Sequence, residues 1–120
     1  MKPDWNAREG DCMIFAELFT KKLLREGTKD FKVHEGYVFF EGENVRFEHT
    51  WVKLADGTLI DETVSQFSKE FDITTISYLE YNSYTPKRYL KLCKRYPTPP
   101  PSLKDFEKRY AKKKTNLLFS

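Results

Sequence analysis

The chain has 120 residues, which is enough for one domain with a single hydrophobic core and too few for two domains of typical size. Aromatic residues make up 16% and charged residues 32% of it, and the lack of a long uncharged apolar run argues against a membrane span and against disorder. The net charge of +3 is concentrated at the C-terminal end, because residues 96–120 carry six basic side chains against two acidic ones.

The two cysteines and the N-terminal sequence predict the cellular compartment. Cys12 and Cys93 are 81 positions apart, and a single pair of this kind is not a disulfide framework. The N-terminal sequence MKPDWNAREGDC has no apolar stretch after its lysine and no transit-peptide pattern. We therefore expect a cytoplasmic protein in a reducing environment.

The first predicted element is a helix over Asp11–Arg25. Its apolar stripe follows helical spacing and consists of Cys12, Phe15, Ala16, Phe19 and Leu23. Asp11 is the expected N-cap and Gly27 the expected C-terminal stop. Cys12 is thereby predicted in the first turn of a helix that packs on the core.

Runs of aromatic and β-branched residues predict strands after this helix. They cover residues 31–40, 45–54 and 58–64 as an antiparallel meander, with a further strand over residues 71–79. Residues 86–96 suit a helix with Pro86 in its first turn. The expected fold is α+β, with a cysteine-bearing helix packed on a small antiparallel sheet and helices at the C-terminal end.

The C-terminal quarter is predicted to be a separate segment. Residues 97–101, with four prolines in five positions, are read as a polyproline spacer, and Ser102 is expected to cap a basic helix that extends to residue 114. The predicted division is a single domain over residues 1–96 and a proline-rich spacer with a basic helical tail over residues 97–120.

In the hairpin FEHTWVKLADGTLIDET, residues 47–63, the length of the loop decides whether His49 and Asp61 can meet. A two-residue Asp-Gly loop would place Asp61 among apolar side chains, whereas a three-residue loop over residues 55–57 places it on the face that carries His49. The common three-residue loop favours positive φ at its third position, which is Gly57. We therefore predict the three-residue loop, with Asp61 diagonal to His49 and within side-chain reach.

Cys12, His49 and Asp61 together have the residue types of a catalytic triad. The dipole of a helix N-terminus and a neighbouring imidazolium both favour a thiolate. In that arrangement Cys12 is the nucleophile, His49 the base and acid, and Asp61 the group that orients the imidazole.

The segments GDCMIFAELF and EHTWVKLADGTLIDET resemble the transglutaminase-like and papain-like cysteine hydrolase superfamily. In that superfamily a G-x-C-x-x-x-A helix precedes an H-x-W-V strand and a strand that ends in D-x-T. The matching positions are Gly10, Cys12, Ala16, His49, Trp51, Val52, Asp61 and Thr63. The resemblance covers residues 10–64, less than half of the chain, and implies a Cys-His-Asp site on a helix that packs against an antiparallel sheet.

The resemblance also suggests supporting residues. Papain-like members carry a glutamine six residues before the cysteine that completes the oxyanion hole, and Asn6 stands at that position here. Trp5 and Tyr37 are other possible donors, and the sequence does not rank the three. Trp51 is expected to pack beside His49 and shield it from water.

The remaining histidine and cysteine are given structural roles. No acid follows His34 at a comparable spacing, so we expect a partly exposed residue at a strand end. Cys93 lies at helical spacing from Tyr89 and is expected in the core. Because the cysteines and histidines show no short paired spacing such as C-x-x-C, the sequence predicts neither a metal site nor a cofactor.

These observations predict a cysteine-dependent amide hydrolase or acyltransferase, with a protein or peptide as its substrate and no membrane partner. The alternative is a non-catalytic module on the same fold that binds a protein or peptide. A weaker alternative is nucleic-acid binding through the basic tail.

Overall fold

One antiparallel sheet of four strands organises the part of the chain that the structure describes, residues 10–111 of a computed structural model. The strands are β1 (Phe31–Phe40), β2 (Arg46–Leu54), β3 (Leu59–Ile60) and β4 (Ile76–Tyr84), in the spatial order β3-β2-β1-β4. Helix α1 (Asp11–Arg25) precedes the sheet, and α2 (Pro86–Arg95) and α3 (Pro100–Ala111) follow it. The predicted α+β class is confirmed. Across the described range, no helix has both the length and the apolar character needed to cross a bilayer.

Helix α1 has the bounds that the sequence predicts, but its N-cap is a different residue. Gly27 has φ of +86° and donates its N–H to the Leu24 carbonyl at 3.1 Å, while the Thr28 N–H reaches the Leu23 carbonyl at 2.9 Å. These two bonds satisfy carbonyls that the helix itself leaves open. At the other end Gly10, with φ of +91°, is the N-cap, so the predicted cap at Asp11 is wrong.

Asp11 is instead the first residue of α1 and binds a residue of α3. Its carboxylate accepts hydrogen bonds from Arg109 Nη1 at 2.7 Å and from Arg109 Nη2 at 3.0 Å. A carboxylate held in this bidentate way is turned toward its arginine and does not cap its own helix. The partner lies 98 positions along the chain, which is why local sequence rules did not find it.

The hairpin between β2 and β3 has the predicted three-residue loop. The Leu54 N–H donates to the Thr58 carbonyl at 2.9 Å, and the Gly57 N–H donates to the Leu54 carbonyl at 3.0 Å. Gly57 has φ of +90°, as this loop requires. Val52 is paired with Ile60, so the next position on each strand brings Asp61 opposite Trp51.

Side-chain alternation in the sheet builds two apolar clusters. The first contains Val33 and Val52 of the sheet and includes residues of all three helices: Phe15, Ala16, Phe19, Phe31, Val33, Val52, Tyr89 and Phe106. The second is centred on Val38, Phe40 and Trp51, with aromatic side chains from residues 64–78 packed against it. Trp51 and Val52 point to opposite faces, as do all neighbouring positions of a strand, so β2 contributes to both clusters.

The segment after β3 is not the strand expected from its composition. β3 has two residues, after which residues Val64–Phe67 form a 3₁₀ turn, and a second turn covers Ile73–Thr75. Asp72 caps that second turn by accepting the Thr74 N–H at 3.0 Å. Strand β4 therefore begins at Ile76, five residues later than predicted, and continues to Tyr84.

Helix α3 begins inside the proline run. Pro100 and Pro101 are its first two residues, so the polyproline prediction is wrong for them, and Ser102 lies inside the helix instead of capping it. Proline suits the first turn because its missing N–H would have no intrahelical acceptor there. Phe106 is fully buried in the first cluster, so α3 packs on the core. The predicted extension to residue 114 lies outside the described residues.

Candidate active site

His49 is the centre of the polar cluster on the sheet. It lies on β2 and is 3% exposed. Its Nε2 lies 2.8 Å from Asp61 Oδ2, as expected if the imidazole N–H donates to the carboxylate. The loop register produces this contact, since Asp61 opposite Trp51 is diagonal to His49 on the same face.

Asp61 is oriented from two further directions. The Tyr78 hydroxyl donates to Oδ2 at 2.6 Å, and the Thr63 hydroxyl donates to Oδ1 at 3.2 Å. Burial and, after it, the charge of Asp61 raise the pKa of Tyr78, so the phenol stays protonated and remains a donor. The carboxylate thus accepts three hydrogen bonds and has a fixed orientation toward the imidazole.

Cys12 contacts the same imidazole from the first turn of α1. It is 7% exposed, and its side chain is within hydrogen-bonding reach of His49. Burial alone would lower the pKa of His49, but the hydrogen bonds and charges of Asp61 and Cys12 outweigh burial and raise this pKa to about 9. His49 therefore carries a proton at neutral pH, which is the state that can donate to a leaving group.

Gln66 is a fourth member of the cluster. It lies in the 3₁₀ turn after β3, and its Nε2 is 3.0 Å from His49 Nδ1. Its Oε1 is buried and has no hydrogen-bond partner among the described residues. An amide nitrogen can donate to Nδ1 of a neutral ring, and rotation of the amide by half a turn would present the oxygen to a protonated Nδ1. Gln66 can therefore support the imidazole in both protonation states.

Aromatic rings and a glycine enclose His49. The Trp51 ring is stacked at 6.3 Å between centroids, and the Phe67 ring meets the imidazole edge-on at 5.2 Å. A Cβ at Gly36 would lie 2.7 Å from the Trp51 ring and 2.1 Å from the Leu79 carbonyl oxygen. Only glycine leaves room for the indole at that position of β1, and the indole in turn covers one face of the imidazole.

His34 lies on the other side of Trp51 and differs from the expectation. It is 7% exposed instead of partly exposed, its ring is 6.1 Å from the indole, and its Nδ1 is 2.5 Å from Glu80 Oε2. Burial lowers the pKa of His34 most strongly, Glu80 opposes this, and Lys53 and Lys32 add to the lowering. The acid that pairs with His34 lies on β4, the strand next to β1, and not downstream on the same strand.

Some of the predicted site residues contact His49, and others do not. Cys12, Asp61 and Trp51 all contact His49. Asn6 and Trp5 lie outside the described residues. Tyr37 is adjacent on β1 to Gly36, which pairs with His49, so its side chain points to the opposite sheet face and packs with Arg46 and Tyr81. Tyr37 is therefore wrong as an oxyanion donor.

Two polar contact residues, Gln66 and Tyr78, were not identified as site residues from the sequence. Gln66 follows Asp61 by five positions, and the hairpin that placed Asp61 did not extend to it. Tyr78 enters from β4, which pairs with β1 and not with the hairpin. Within residues 10–111, no group of three or more His, Cys, Asp and Glu side chains is placed to hold a metal ion.

Comparison with known proteins gives no further assignment, since no family model, curated protein or solved structure matches the chain.

Proposed function

We propose that the chain is a cysteine-dependent amide hydrolase or acyltransferase of the transglutaminase-like and papain-like type, acting on a protein or peptide. One observation carries the proposal: the His49 imidazole interacts with two side chains. Its Nε2 lies 2.8 Å from Asp61 Oδ2, and the Cys12 side chain is within hydrogen-bonding reach of the ring. A thiol, an imidazole and an orienting carboxylate in one contact chain satisfy the requirements of nucleophilic acyl transfer.

The first half of the reaction forms a thioester. The Cys12 thiolate attacks the amide carbon, the C–S bond forms, and the carbonyl electron pair moves onto oxygen. When the carbonyl re-forms, the C–N bond breaks and the nitrogen takes the proton that His49 carries. The Cys12 N–H, at the second position of α1, is among those without an intrahelical acceptor and is suited to stabilise the oxyanion.

The second half restores the thiol. Neutral His49 takes a proton from water or from an acceptor amine, whose oxygen or nitrogen attacks the thioester carbon. The C–S bond then breaks, and the thiolate and the imidazolium are regenerated. Asp61 stabilises the imidazolium in both halves because its Oδ2 accepts a hydrogen bond from the Nε2–H, which stays on the ring.

Incubation with a peptide library containing glutamine, followed by mass spectrometry, tests the proposal. Hydrolysis gives new termini, deamidation gives glutamate, and transamidation in the presence of a labelled primary amine gives a mass tag. Cys12→Ala should abolish whichever product forms, whereas the matched Cys93→Ala variant should retain it. Product formed equally by the Cys12→Ala protein would overturn the proposal.

A further inference from the structure

The described helices cover only one end of the sheet face on which they pack. At the start of β1, Phe31 and Val33 are buried among helix residues of the first cluster. Tyr37 and Phe39 lie on the same face by strand alternation but are only half-buried. The far end of this face therefore presents aromatic rings without a helix above them.

Apolar side chains from β4 and from the loop before β2 extend this exposed surface. Leu79 is paired with Tyr37 across β4 and β1 and is 54% exposed. The ring of Tyr81, which is 50% exposed, lies 5.1 Å from that of Tyr37. Val45 and Phe39 line a small cleft of about 250 Å³ beside them. This surface is called the open face and consists of Tyr37, Phe39, Val45, Leu79 and Tyr81. Apolar side chains grouped in this way on one surface indicate a binding surface.

Acidic side chains predominate at the border of the open face. Glu48 is paired with Tyr37 and is within hydrogen-bonding reach of the Tyr81 hydroxyl. Arg46 places its guanidinium 4.3 Å from the centre of the Tyr37 ring and is the basic residue of this border. The other acidic residues of the border are Glu35, whose charge acts on Tyr81, and Glu43, which lines the small cleft. An excess of negative charge disfavours nucleic acid and favours a basic segment as the partner.

The C-terminal end of the chain has a composition that complements this surface. Residues 112–120, with the sequence KKKTNLLFS, lie outside the described residues. They combine three lysines with a short apolar run, which consists of Leu117, Leu118 and Phe119. The apolar run matches the open face in character, and the lysines match its border in charge.

Described contacts place the start of this segment near the open face. Arg109, close to the end of α3, binds Asp11 at 2.7 Å. The next residue, Cys12, is within hydrogen-bonding reach of His49, which is adjacent to Glu48 on β2. The border of the open face is thus a few side chains from the end of α3. Residues 112–119 span up to about 26 Å when extended, as much as the shortest dimension of the fold, 26 Å.

We propose that residues 112–120 dock on the open face of the same molecule, with their apolar run on its aromatic and aliphatic side chains and their lysines at its acidic border. Burial of the apolar run provides most of the stabilisation, because exposed lysine–carboxylate pairs contribute little. The lysines instead determine the direction in which the segment lies. The inference is independent of the proposed function.

A photo-crosslinking residue, p-benzoylphenylalanine, in place of Phe119 of the full chain tests this docking. On irradiation its ketone takes a hydrogen atom from a nearby C–H bond, and the two carbon radicals join. The crosslink should lie in tryptic peptides 33–46 or 70–87, at residues of the open face, which these two peptides carry between them. The crosslinked protein should have the mass of a monomer, with a yield that does not depend on protein concentration.

The double variant Leu79→Ser/Tyr81→Ser should lower the crosslink yield at least about fivefold, because it removes two exposed apolar side chains of the open face. Tyr96→Ser is the matched control and should leave the yield unchanged, since Tyr96 is 68% exposed at the C-cap of α2 and is not part of the open face. Replacing all three lysines of residues 112–114 by glutamate should also lower the yield, because like charges then meet at the border.

Crosslinks found only between two chains would assign the segment to a second copy and overturn docking within one molecule. Crosslinks confined to other peptides, or a yield that the double variant does not change, would overturn the open face as the docking surface. If the double variant loses its native circular dichroism, the position of the crosslink in the chain without those two substitutions decides alone.

Discussion

His49 has a separate partner at each ring nitrogen. Asp61 is bonded to Nε2 and Gln66 to Nδ1, and Nδ1 is the nitrogen that the proposed reaction uses to exchange a proton with Cys12 or substrate. Contacts at both nitrogens fix the plane of the ring, which a single hydrogen bond would leave free to rotate about that bond. The orientation of His49 is thus determined by residues on three different segments once Tyr78, which holds Asp61, is included.

Asp61→Asn should lower kcat/KM by about 10²- to 10⁴-fold, the usual contribution of positioned acid–base catalysis. The carboxamide removes a charge that raises the pKa of His49, so the alkaline limb of the pH–rate profile should move to lower pH. Asp56→Asn is the control, because Asp56 lies in the exposed loop of the same hairpin and accepts hydrogen bonds from the backbone and side chain of Thr58, away from His49. Equal losses in the two variants would argue against an orienting role for Asp61.

Gln66→Glu should move the alkaline limb of the same profile above pH 9, because a negative charge beside Nδ1 further favours the imidazolium whose pKa is already about 9. Gln66→Leu should lower kcat without moving that limb upward. The pH–rate profiles of both variants, measured on one substrate, separate an electrostatic role from a packing role. Identical pH–rate profiles for the two variants would contradict direct contact between Gln66 and the His49 imidazole.

At the scale of elements, α3 fixes the start of α1, the helix that carries Cys12. Arg109 binds Asp11 in α1 and also donates from Nε to Asp105 in its own helix at 3.0 Å. The Asp11 side chain is 4% exposed, so loss of its partner would leave a buried carboxylate without its bidentate donor. Asp11 directly precedes Cys12, which makes this ion pair a determinant of where the thiol lies.

Arg109→Leu should lower the free energy of unfolding by about 3 kcal/mol, the order expected when one partner of a buried ion pair is removed. Lys108→Leu, at an exposed position of the same helix, should change it by less than about 0.5 kcal/mol. Urea unfolding followed by tryptophan fluorescence measures both. Similar midpoints for the two variants would show that the ion pair does not hold α3 in place.

The sequence predicted the elements whose signals are local. The bounds of α1 and β1 follow from helical and strand periodicity, and the β2–β3 register follows from Gly57 in its loop. It missed what depends on distant segments, since the Asp11 pairing with Arg109, the His34 pairing with Glu80 and the Tyr78 contact all join strands or helices far apart in the chain. The hairpin alone brought His49 and Asp61 together, and the helix pattern and the resemblance supplied Cys12 and Trp51, so these four members of the candidate site were predictable.

At the scale of the molecule, two buried histidines on one sheet face have opposite pKa shifts. Burial lowers the pKa of His49, but Asp61 and Cys12 outweigh it and raise this pKa to about 9. Burial lowers the pKa of His34 despite the opposing charge of Glu80. Trp51 lies between their rings. Near neutral pH one of them is therefore charged and the other is neutral.

Stability should consequently be greatest near neutral pH. The rise of the His49 pKa from 6.5 to about 9 contributes about 3 kcal/mol to the free energy of unfolding. This contribution is complete below pH 6.5 and is lost as the pH rises through 9. The pKa of His34 is lowered, so its contribution to the free energy of unfolding has the opposite pH dependence. It is complete above pH 6.5 and falls as the pH drops below that value. Urea midpoints across pH 5–10 measure both limbs. His49→Gln should flatten the alkaline limb and His34→Gln the acid limb, and an unchanged alkaline limb in His49→Gln would contradict the assignment.

Competitive alkylation of the two cysteines tests the catalytic unit most directly. Cys12 is buried and Cys93 is only partly buried, with the pKa of the Cys93 thiol raised to about 11 chiefly by burial. Accessibility favours Cys93 and its raised pKa disfavours it, so activation of the Cys12 thiol is reported by the dependence of the Cys12 rate on His49. With limiting iodoacetamide at pH 7, Cys12 should react at least about tenfold faster than Cys93. His49→Ala should lower the Cys12 rate, and His34→Ala should leave it unchanged. Equal slow labelling of both cysteines in the unmodified protein, or a Cys12 rate that does not depend on His49, would contradict a Cys12–His49–Asp61 triad.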